Sequence, residues 1–598
     1  MTYFIKKMNR FIITLLIFNF IVSCASATER KEKMSEEELL ETVQRQTFRY
    51  FWEYACPDSK MVRERSWGGA GRYELIPFDR TYFRRKSEEN SKKGLRASYF
   101  NNMYLRGEPA LERTEKNIDV DWGRGSPADE INKDHFSALW KGYIVFPESG
   151  EYRIGLGSDD GSRLYLDGEL LIDNWRGQSF NIESKKVDVK KGKPYNIRLE
   201  YFEEKKDAAI KLGYMKKIEN PEKAKIDIDP RNNIVATGGT GMGVMTIIVG
   251  SQRGWVTREE AAQRVLKIVE FLENADSFFG VFPHWLDGST GKTIPFSDLD
   301  DGADLVETAL LFQGLLTARE YFTEENYTEQ KIRDKIDRMW HDVEWDKFTR
   351  EKNVLYWHYS PNHGWKKGHE IRGWDECLIT YVLAASSPEH AIYPEVYHKG
   401  YAQGEQFKNN EKYFGKRLQL GPDYGGPLFF AHYSFLGMDP RGLRDKYADY
   451  WKQNVAHTLI NRAHCIENPN GYDGYGKMCW GLTASDNYAG YSDHSPTNDL
   501  GVITPTAALS SMPYTPEYSM EVLKHFYYNL GGNIWGRFGF IDSFSKTHNW
   551  YSSDVVAINQ APIIIMIENY RTGLLWDVFM RAPEVKEGLE RLGFEGNF

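Results

Sequence analysis

The stretch GWKKGHEIRGWDECLITYVLAASSP, residues 364–388, passes without a break from a polar loop into an apolar run. Leu378, Val382 and Ala385 recur at helical spacing with Ile379 and Leu383 beside them, and Pro388 lies just beyond the stop. The pattern predicts a buried helix with Asp375 and Glu376 in its first turn. Carboxylates are favoured there because unpaired backbone N–H groups and the helix dipole point at them. An ordinary helix cap would account for Glu376 alone. Its company changes the reading: Trp365, Arg372 and Trp374 crowd it, and a second acidic helix start lies upstream.

That second start is DLDDGADLVETALLFQGLL, residues 298–316. Asp304 and Glu307 are three apart and are expected on one face of a helix that is apolar almost all round, the mark of an inner element. Two carboxylates at the mouth of such a helix are costly unless paired or used. His284, Trp285 and Asp287 precede them in a loop, followed by Asp298, Asp300 and Asp301. Calcium does not fit an EF-hand spacing, because Ser297 and Leu299 stand where the first acidic ligands belong. His358, His363 and His369 lack the i, i+4 spacing of a zinc protease, so no metal or other cofactor is expected.

Length and charge bound the rest. A chain of 598 residues holds more than one domain and a large core, and a net charge of -9 with no basic patch argues against a nucleic-acid partner. The chain opens with Lys6, Lys7 and Arg10, then an apolar stretch from Phe11 to Val22 that is short for a membrane span. Ile21-Val22-Ser23-Cys24 resembles a bacterial lipobox. Residues 1–24 are therefore expected to be a lipoprotein signal, with Cys24 lipidated, a tether after it, and a location in the periplasm or at the outer membrane. Cys56, Cys377, Cys465 and Cys479 match no zinc pattern and read as buried thiols, with a Cys465–Cys479 disulfide the alternative.

Residues 25–69 begin the first domain, with Glu36 to Tyr54 amphipathic. The period then changes. Within residues 70–229, Tyr152, Ile154 and Leu156 alternate, as do Tyr195, Ile197, Leu199 and Tyr201, with Asp160-Gly161 and Asp167-Gly168 as turns. This insert reads as a β-sandwich, and GEYRIGLGSDDGSRLYLDGELLIDN resembles the protective-antigen-type domain. In the adhesin branch of that family adjacent aspartates hold calcium; Asp159 and Asp160 match, though a turn explains them as well.

Helical texture returns over residues 230–598. Gly238 to Gly243 (GGTGMG) is no phosphate loop, since no Lys-Ser/Thr follows, and close backbone packing or a sugar-facing loop is expected instead. Thr257-Arg-Glu-Glu260 is a capping box. Further helices are expected from Asp445 to Ala463 and from Pro562 to Trp576. Roughly a dozen helices joined by alternating short turns and long polar loops predict a mainly α protein, an (α/α)6 barrel interrupted by the sandwich.

GPDYGGPLFFAHYSFLG, CWGLTASD, TPTAALSSMPY and PIIIMIENYRTGLLW closely resemble the glucoamylase-like family, glycoside hydrolase family 144, over essentially everything outside the insert. The resemblance implies an (α/α)6 barrel hydrolysing β-1,2-glucan with inversion. It places the family's acidic candidates on Asp304, Glu307 and Glu376, with Asp375 where many members carry Asn. An inverting glycosidase needs one protonated carboxyl and one ionised carboxylate roughly 6.5–9.5 Å apart. Glu376 suits the acid, with Trp365, Trp374 and Asp375 disfavouring its charge. Asp304 ranks first as base, then Asp486, with Glu307 and Asp300 toward sugar hydroxyls. Trp285, Trp374, Tyr424 and Trp480 are candidate stacking platforms, and His284, Arg372 and Arg571 candidate polar contacts. A polysaccharide lyase and a non-catalytic glycan-binding lipoprotein are the rival readings. The family suggests endo cleavage. A sandwich anchored at two points could wall off one end of the cleft and give exo release of sophorose instead.

Overall fold

The computed structural model describes residues 33–598 apart from 67, 68, 179, 206, 227, 229–232 and 597. The expected signal and Cys24 lie outside the described residues. No helix among the described residues is long and apolar enough to cross a membrane.

The catalytic domain is α-rich and two-layered. Its inner helices are α2 (Thr237–Gln252), α4 (Leu305–Tyr321), α6 (Leu378–Ser386) and α8 (Ala557–Arg571), buried on nearly every face. Around them lie amphipathic helices: α1 (Glu36–Glu53), α3 (Arg258–Leu272), α5 (Tyr327–His341) and α10 (Pro583–Arg591), with α7 (Tyr450–Glu467) and α9 (Leu574–Phe579) completing the numbering. The inner α2 packs on α4, α8 and α3, while α4 meets α5, α6 and α9. One continuous apolar core runs through these contacts. The capping box at Thr257 and Glu260 forms as expected.

The glycine-rich patch is the start of α2, not a loop. Its glycines let two buried helices touch backbone to backbone: a Cβ on Gly241 would lie 2.3 Å from the Leu310 carbonyl oxygen, and one on Gly314 1.9 Å from that of Gly241. Two other helix starts also shift. Asp449, not Asp445, caps α7, accepting from the Lys452 N–H, while Asp445 Oδ1 holds the preceding turn through Tyr447 and Ala448. Pro562 sits inside α8, which starts five residues earlier at Ala557 and ends at Thr572–Gly573, where Gly573 takes φ 76°. A proline at a first helical position is common, so the sequence pointed there.

The insert forms twelve strands with their own apolar core. They are β1 (Tyr73–Pro77), β2 (Phe83–Arg84), β3 (Leu95–Phe100), β4 (Leu111–Glu115), β5 (Asp119–Gly123), β6 (Phe136–Val145), β7 (Gly150–Asp159), β8 (Gly161–Leu166), β9 (Glu169–Asn174), β10 (Asn181–Val189), β11 (Pro194–Glu203) and β12 (Ala208–Lys217). One sheet runs β1-β12-β7-β10 with β5 on β12; the other runs β4-β3-β6-β11-β8-β9 with β2 on β6. Alternate residues such as Ile197, Leu199 and Tyr201 enter the core between the sheets, as the period-2 pattern requires.

The exit and return of the chain run antiparallel. Arg63 bridges Val235, the Ile218 N–H donates to the Arg72 carbonyl, and β1 pairs with β12. Arg49 donates to the Pro221, Glu222 and Ala224 carbonyls, Arg72 to that of Gly531, and Arg537 pairs with Glu74. This neck has two strands and charged struts, so it holds the sandwich more firmly than a single linker would.

The close α2–α4 crossing gives a direct test. Gly314→Ala gains helix propensity of ~1 kcal/mol yet must displace backbone, so we expect a net loss at or above the ~1–3 kcal/mol of core overpacking. Chemical denaturation measures it; an unchanged midpoint would refute the crossing.

Candidate active site

Short strands place the acids at the start of α4. β16 (Ala303–Asp304) pairs with β17 (His358–Tyr359), setting Asp304 opposite His358. A three-stranded sheet of β13 (Ile234–Ala236), β14 (Trp285–Asp287) and β15 (Thr293–Ile294) carries Trp285 beside them, with His284 just before it.

Asp304 is the N-cap of α4 rather than a residue of its first turn. Its Oδ1 accepts from Val306 N–H at 3.1 Å, Glu307 N–H at 3.0 Å and Trp357 Nε1–H at 2.9 Å. His284 Nδ1 lies 3.0 Å from Oδ2, and the side chain is 0% exposed. Glu307 points to the other side of the same imidazole: His284 Nε2 is 4.0 Å from its Oε1, and Gly238 N–H donates to its Oε2 at 2.7 Å. Burial pulls the His284 pKa down, but the charges of Glu307, Asp304 and Asp300 outweigh it and set the pKa at about 9. Burial raises the Glu307 pKa, the His284 charge opposes this, and the Asp304 charge adds to it. Asp300 is met by an ammonium and an imidazole: Lys367 Nζ is 3.0 Å and His358 Nε2 3.1 Å from its Oδ2. Burial would raise its pKa; those two partners hold it below the usual carboxylate range.

Asp375 and Glu376 lie in the loop entering α6, whose first helical residue is Leu378. Asp375 Oδ1 accepts from the Cys377 N–H at 2.9 Å and from the Tyr401 hydroxyl at 3.1 Å. Glu376 is held through its backbone, its carbonyl accepting from Ser434 Oγ at 2.5 Å. Burial lifts the Asp375 pKa to about 6. Burial first, then the charges of Asp375, Glu307 and Asp304, push Glu376 well above the carboxylate range. Its surroundings therefore favour the neutral form of Glu376, and it is electrostatically in touch with the α4 cluster.

Asp486 belongs to a second group that the sequence reading only began to see. Arg65 Nη1 is 3.3 Å from Asp486 Oδ1 and 3.9 Å from Asp554 Oδ2. The Asp486 N–H donates to Asp542 Oδ2 at 2.8 Å, and Asn559 Nδ2 donates to Asp542 Oδ1 at 2.8 Å. Burial and then the Asp486 charge lift the Asp542 pKa to about 8. Tyr433 links the groups: the charges that raise its pKa after burial include Tyr491, Glu376, Asp542 and Glu307, and its hydroxyl is 3.5 Å from Asn559 Oδ1. Arg65, Trp357, Lys367, Asp542 and Tyr433 were not singled out in the sequence. Asp542 alone left a trace, as a lone acid inside the apolar run Phe540 to Phe544.

The candidate contacts divide. Trp285 makes a half-buried aromatic rim with Phe296 at 4.8 Å and His284 at 5.5 Å. Tyr424 sits half-buried beside Tyr413 at 4.4 Å, on a loop for which no contact with the acids is seen. Trp374 is only 3% exposed and packs on Tyr450 and Phe407, and Trp480 is 0% exposed; neither ring offers a face to a sugar. Trp365 packs edge-on to Phe348 and Tyr359. Arg372 pairs with Glu370 at 2.6 Å, and Arg571 donates to Gln44 at the C-terminal end of α8. Both corrections share a cause: spacing along the chain does not say which way a side chain points from a loop or helix end. His284, Asp300 and Asp304 are close enough to ligate a cation, but Lys367 and the two imidazoles already neutralise them. Among the described residues Cys56, Cys377, Cys465 and Cys479 are free and buried.

The His284 contribution has a definite sign. Its folded pKa lies above the ordinary 6.5, so its stabilisation is complete below that pH and is lost as pH rises through about 9. His284→Gln should flatten the decline in melting temperature across that window; an unchanged slope would show that the imidazolium does not hold these acids together.

The Glycoamylase family profile matches residues 368–583, and the PA14 domain profile matches residues 91–225. An exo β-1,2-glucooligosaccharide sophorohydrolase (non-reducing end) from Parabacteroides distasonis is 46% identical over 391 residues, 62% of this chain and 54% of that protein. The chain thus spans about half of that relative's length. The solved endo-β-1,2-glucanase from Chitinophaga pinensis, in complex with sophorotriose and glucose, is 36% identical with a TM-score of 0.65, covering 94% of this chain and 99% of that one. A glucoamylase-like protein from Bacteroides uniformis is 41% identical with a TM-score of 0.67, covering 95% and 99%. The chain belongs to the glucoamylase-like family of glycoside hydrolases, family 144, with a PA14 β-sandwich inserted in its catalytic domain.

Proposed function

We propose that the protein hydrolyses β-1,2-glucan with inversion of configuration and releases sophorose from a chain end. The observation that carries the chemistry is Glu376, whose burial and the charges of Asp375, Glu307 and Asp304 raise its pKa well above the carboxylate range. Full family-length similarity to a β-1,2-glucanase supports the substrate, and the sophorohydrolase relative supports release of a disaccharide. The inner and outer helices are read as the two rings of an (α/α)6 barrel, with the polar loops at one mouth.

In this reading Glu376 donates its proton to the glycosidic oxygen as the C–O bond breaks. A water attacks the anomeric carbon from the opposite face, losing its proton to a carboxylate. Asp304 is poorly suited to be that base, because its oxygens already accept four hydrogen bonds and it has no exposed surface. Asp486 suits it better: its side chain is 14% exposed, and its contacts to Arg65, at 3.3 and 3.4 Å, are long. Glu307, 12% exposed and paired with protonated His284, is left to bind sugar hydroxyls. Trp285 and Phe296 supply a stacking surface.

Glu376→Gln and Asp486→Asn should each lower kcat at least ~100-fold with melting temperature preserved, the usual value of acid–base participation. Asp304→Asn should instead lower stability and activity together. Near-normal turnover in Asp486→Asn would return the base to Glu307 or Asp304.

The lipobox-like Ile21 to Cys24 supports a lipoprotein facing the periplasm or the cell exterior. Labelled fatty acid should enter the wild-type protein and not Cys24→Ser; equal labelling would contradict the anchor.

A further inference from the structure

The open side of the site is not built by the catalytic domain alone. Gln178 and Phe180, between β9 and β10, and Asn181 at the start of β10 reach over to the Asp486 loops. With Arg65, Asp486 and Trp550 they line a narrow gap of ≈ 30 Å³, room for little more than a water, so the sandwich edge closes against the Asp486 loops. Phe180 also lines a second, roomier cleft of ≈ 220 Å³ with Arg124, Ile234 and Ile294. Arg124 Nη2 donates to the Pro295 carbonyl at 2.9 Å, one residue from the Phe296 ring that faces Trp285 and His284. The sandwich therefore touches both rims: the Trp285–Phe296 rim at one side and the Asp486–Trp550 rim at the other.

The paired aspartates of the sandwich hold this edge in place. Asp160 Oδ1 accepts from the Gln178 N–H at 2.8 Å, and its Oδ2 from the Glu204 N–H at 2.7 Å. Asp159 Oδ2 accepts from the Phe180 N–H at 3.1 Å. With the two-stranded neck, these bonds fix the edge before any ligand arrives, so little ordering entropy remains to be lost on binding.

The geometry points to this edge as the end wall of the cleft, with Gln178 and Asn181 contacting the hydroxyls of the terminal glucosyl unit. The chemistry of the gap suits a sugar. The Asn181 amide, the Asp486 carboxylate and the Arg65 guanidinium present donors and acceptors to hydroxyls, and Gln178, whose amide also bonds Arg176 and nears the Ser158 and Asp160 carbonyls, lines the same gap. A wall at the end of the cleft admits a chain end and stops it, so that a short product of fixed length leaves. This inference rests on the hydrolysis of β-1,2-glucan proposed above, and it assigns the stopping role to the inserted domain.

The experiment compares wild type, Gln178→Ala/Asn181→Ala and Phe180→Ala on linear and cyclic β-1,2-glucan, with products sized at early times. Wild type should give sophorose alone and leave the ring closed. The double variant should raise KM for short linear oligosaccharides roughly tenfold, the loss of about one hydrogen bond's net worth. Both variants should release mixed lengths and begin to open the ring. Melting curves identify a variant that has lost its fold, and the other then decides. Sophorose alone from a folded variant with unchanged KM would overturn the wall while leaving hydrolysis intact. Mixed products from wild type would overturn it too, whereas no cleavage of either glucan by wild type would instead refute the substrate.

Discussion

A carboxylate buried in a helical core must be protonated or met by a cation, because desolvation of an isolated charge is prohibitive. That constraint organises the catalytic domain. At the start of α4, Asp304 is met by backbone N–H groups, an indole and the His284 imidazolium, and Asp300 by Lys367 and His358. Once these positive groups are committed, Glu376 has none of its own. Its burial and the charges of Asp375, Glu307 and Asp304 all favour its neutral form. At the second group Arg65 serves Asp486 and Asp554, and Asp542 stays neutral. Each group thus holds one carboxyl whose pKa its surroundings raise, Glu376 in the first and Asp542 in the second.

The sandwich enters this account through mechanics rather than charge. A domain on a flexible tether can only raise local substrate concentration. The antiparallel neck, Arg49 on three carbonyls and Arg124 on the opposite rim limit the motion of this one. Its aspartate pair fits the same logic: the two carboxylates are spent on backbone N–H groups of the edge that faces the cleft.

Much of the fold was legible because periodicity survives burial. The switch from helical spacing to alternation and back marks the insert, and the all-apolar character of α4 marks an inner helix. Helix starts were less legible: Asp304 and Asp449 are caps, and Asp375 and Glu376 stop short of α6, because composition alone does not fix which residue leaves helical geometry. The acids could be found because acids at buried helix starts are unusual. Their partners could not, since Arg65, Lys367 and Asp542 meet them only through the tertiary fold. Trp374 and Trp480 show the opposite error, where aromatic content near an acid reflects core packing.

The central claim is that Glu376 holds a proton at neutral pH because its neighbours' charges and its burial deny it a cation. Infrared difference spectroscopy between wild type and Glu376→Gln at neutral pH tests it directly. The account predicts a protonated carboxylic C=O band in wild type that the variant lacks and that survives well above the ordinary carboxylate range. A carboxylate band lost in its place would mean that Glu376 is ionised and is not the acid.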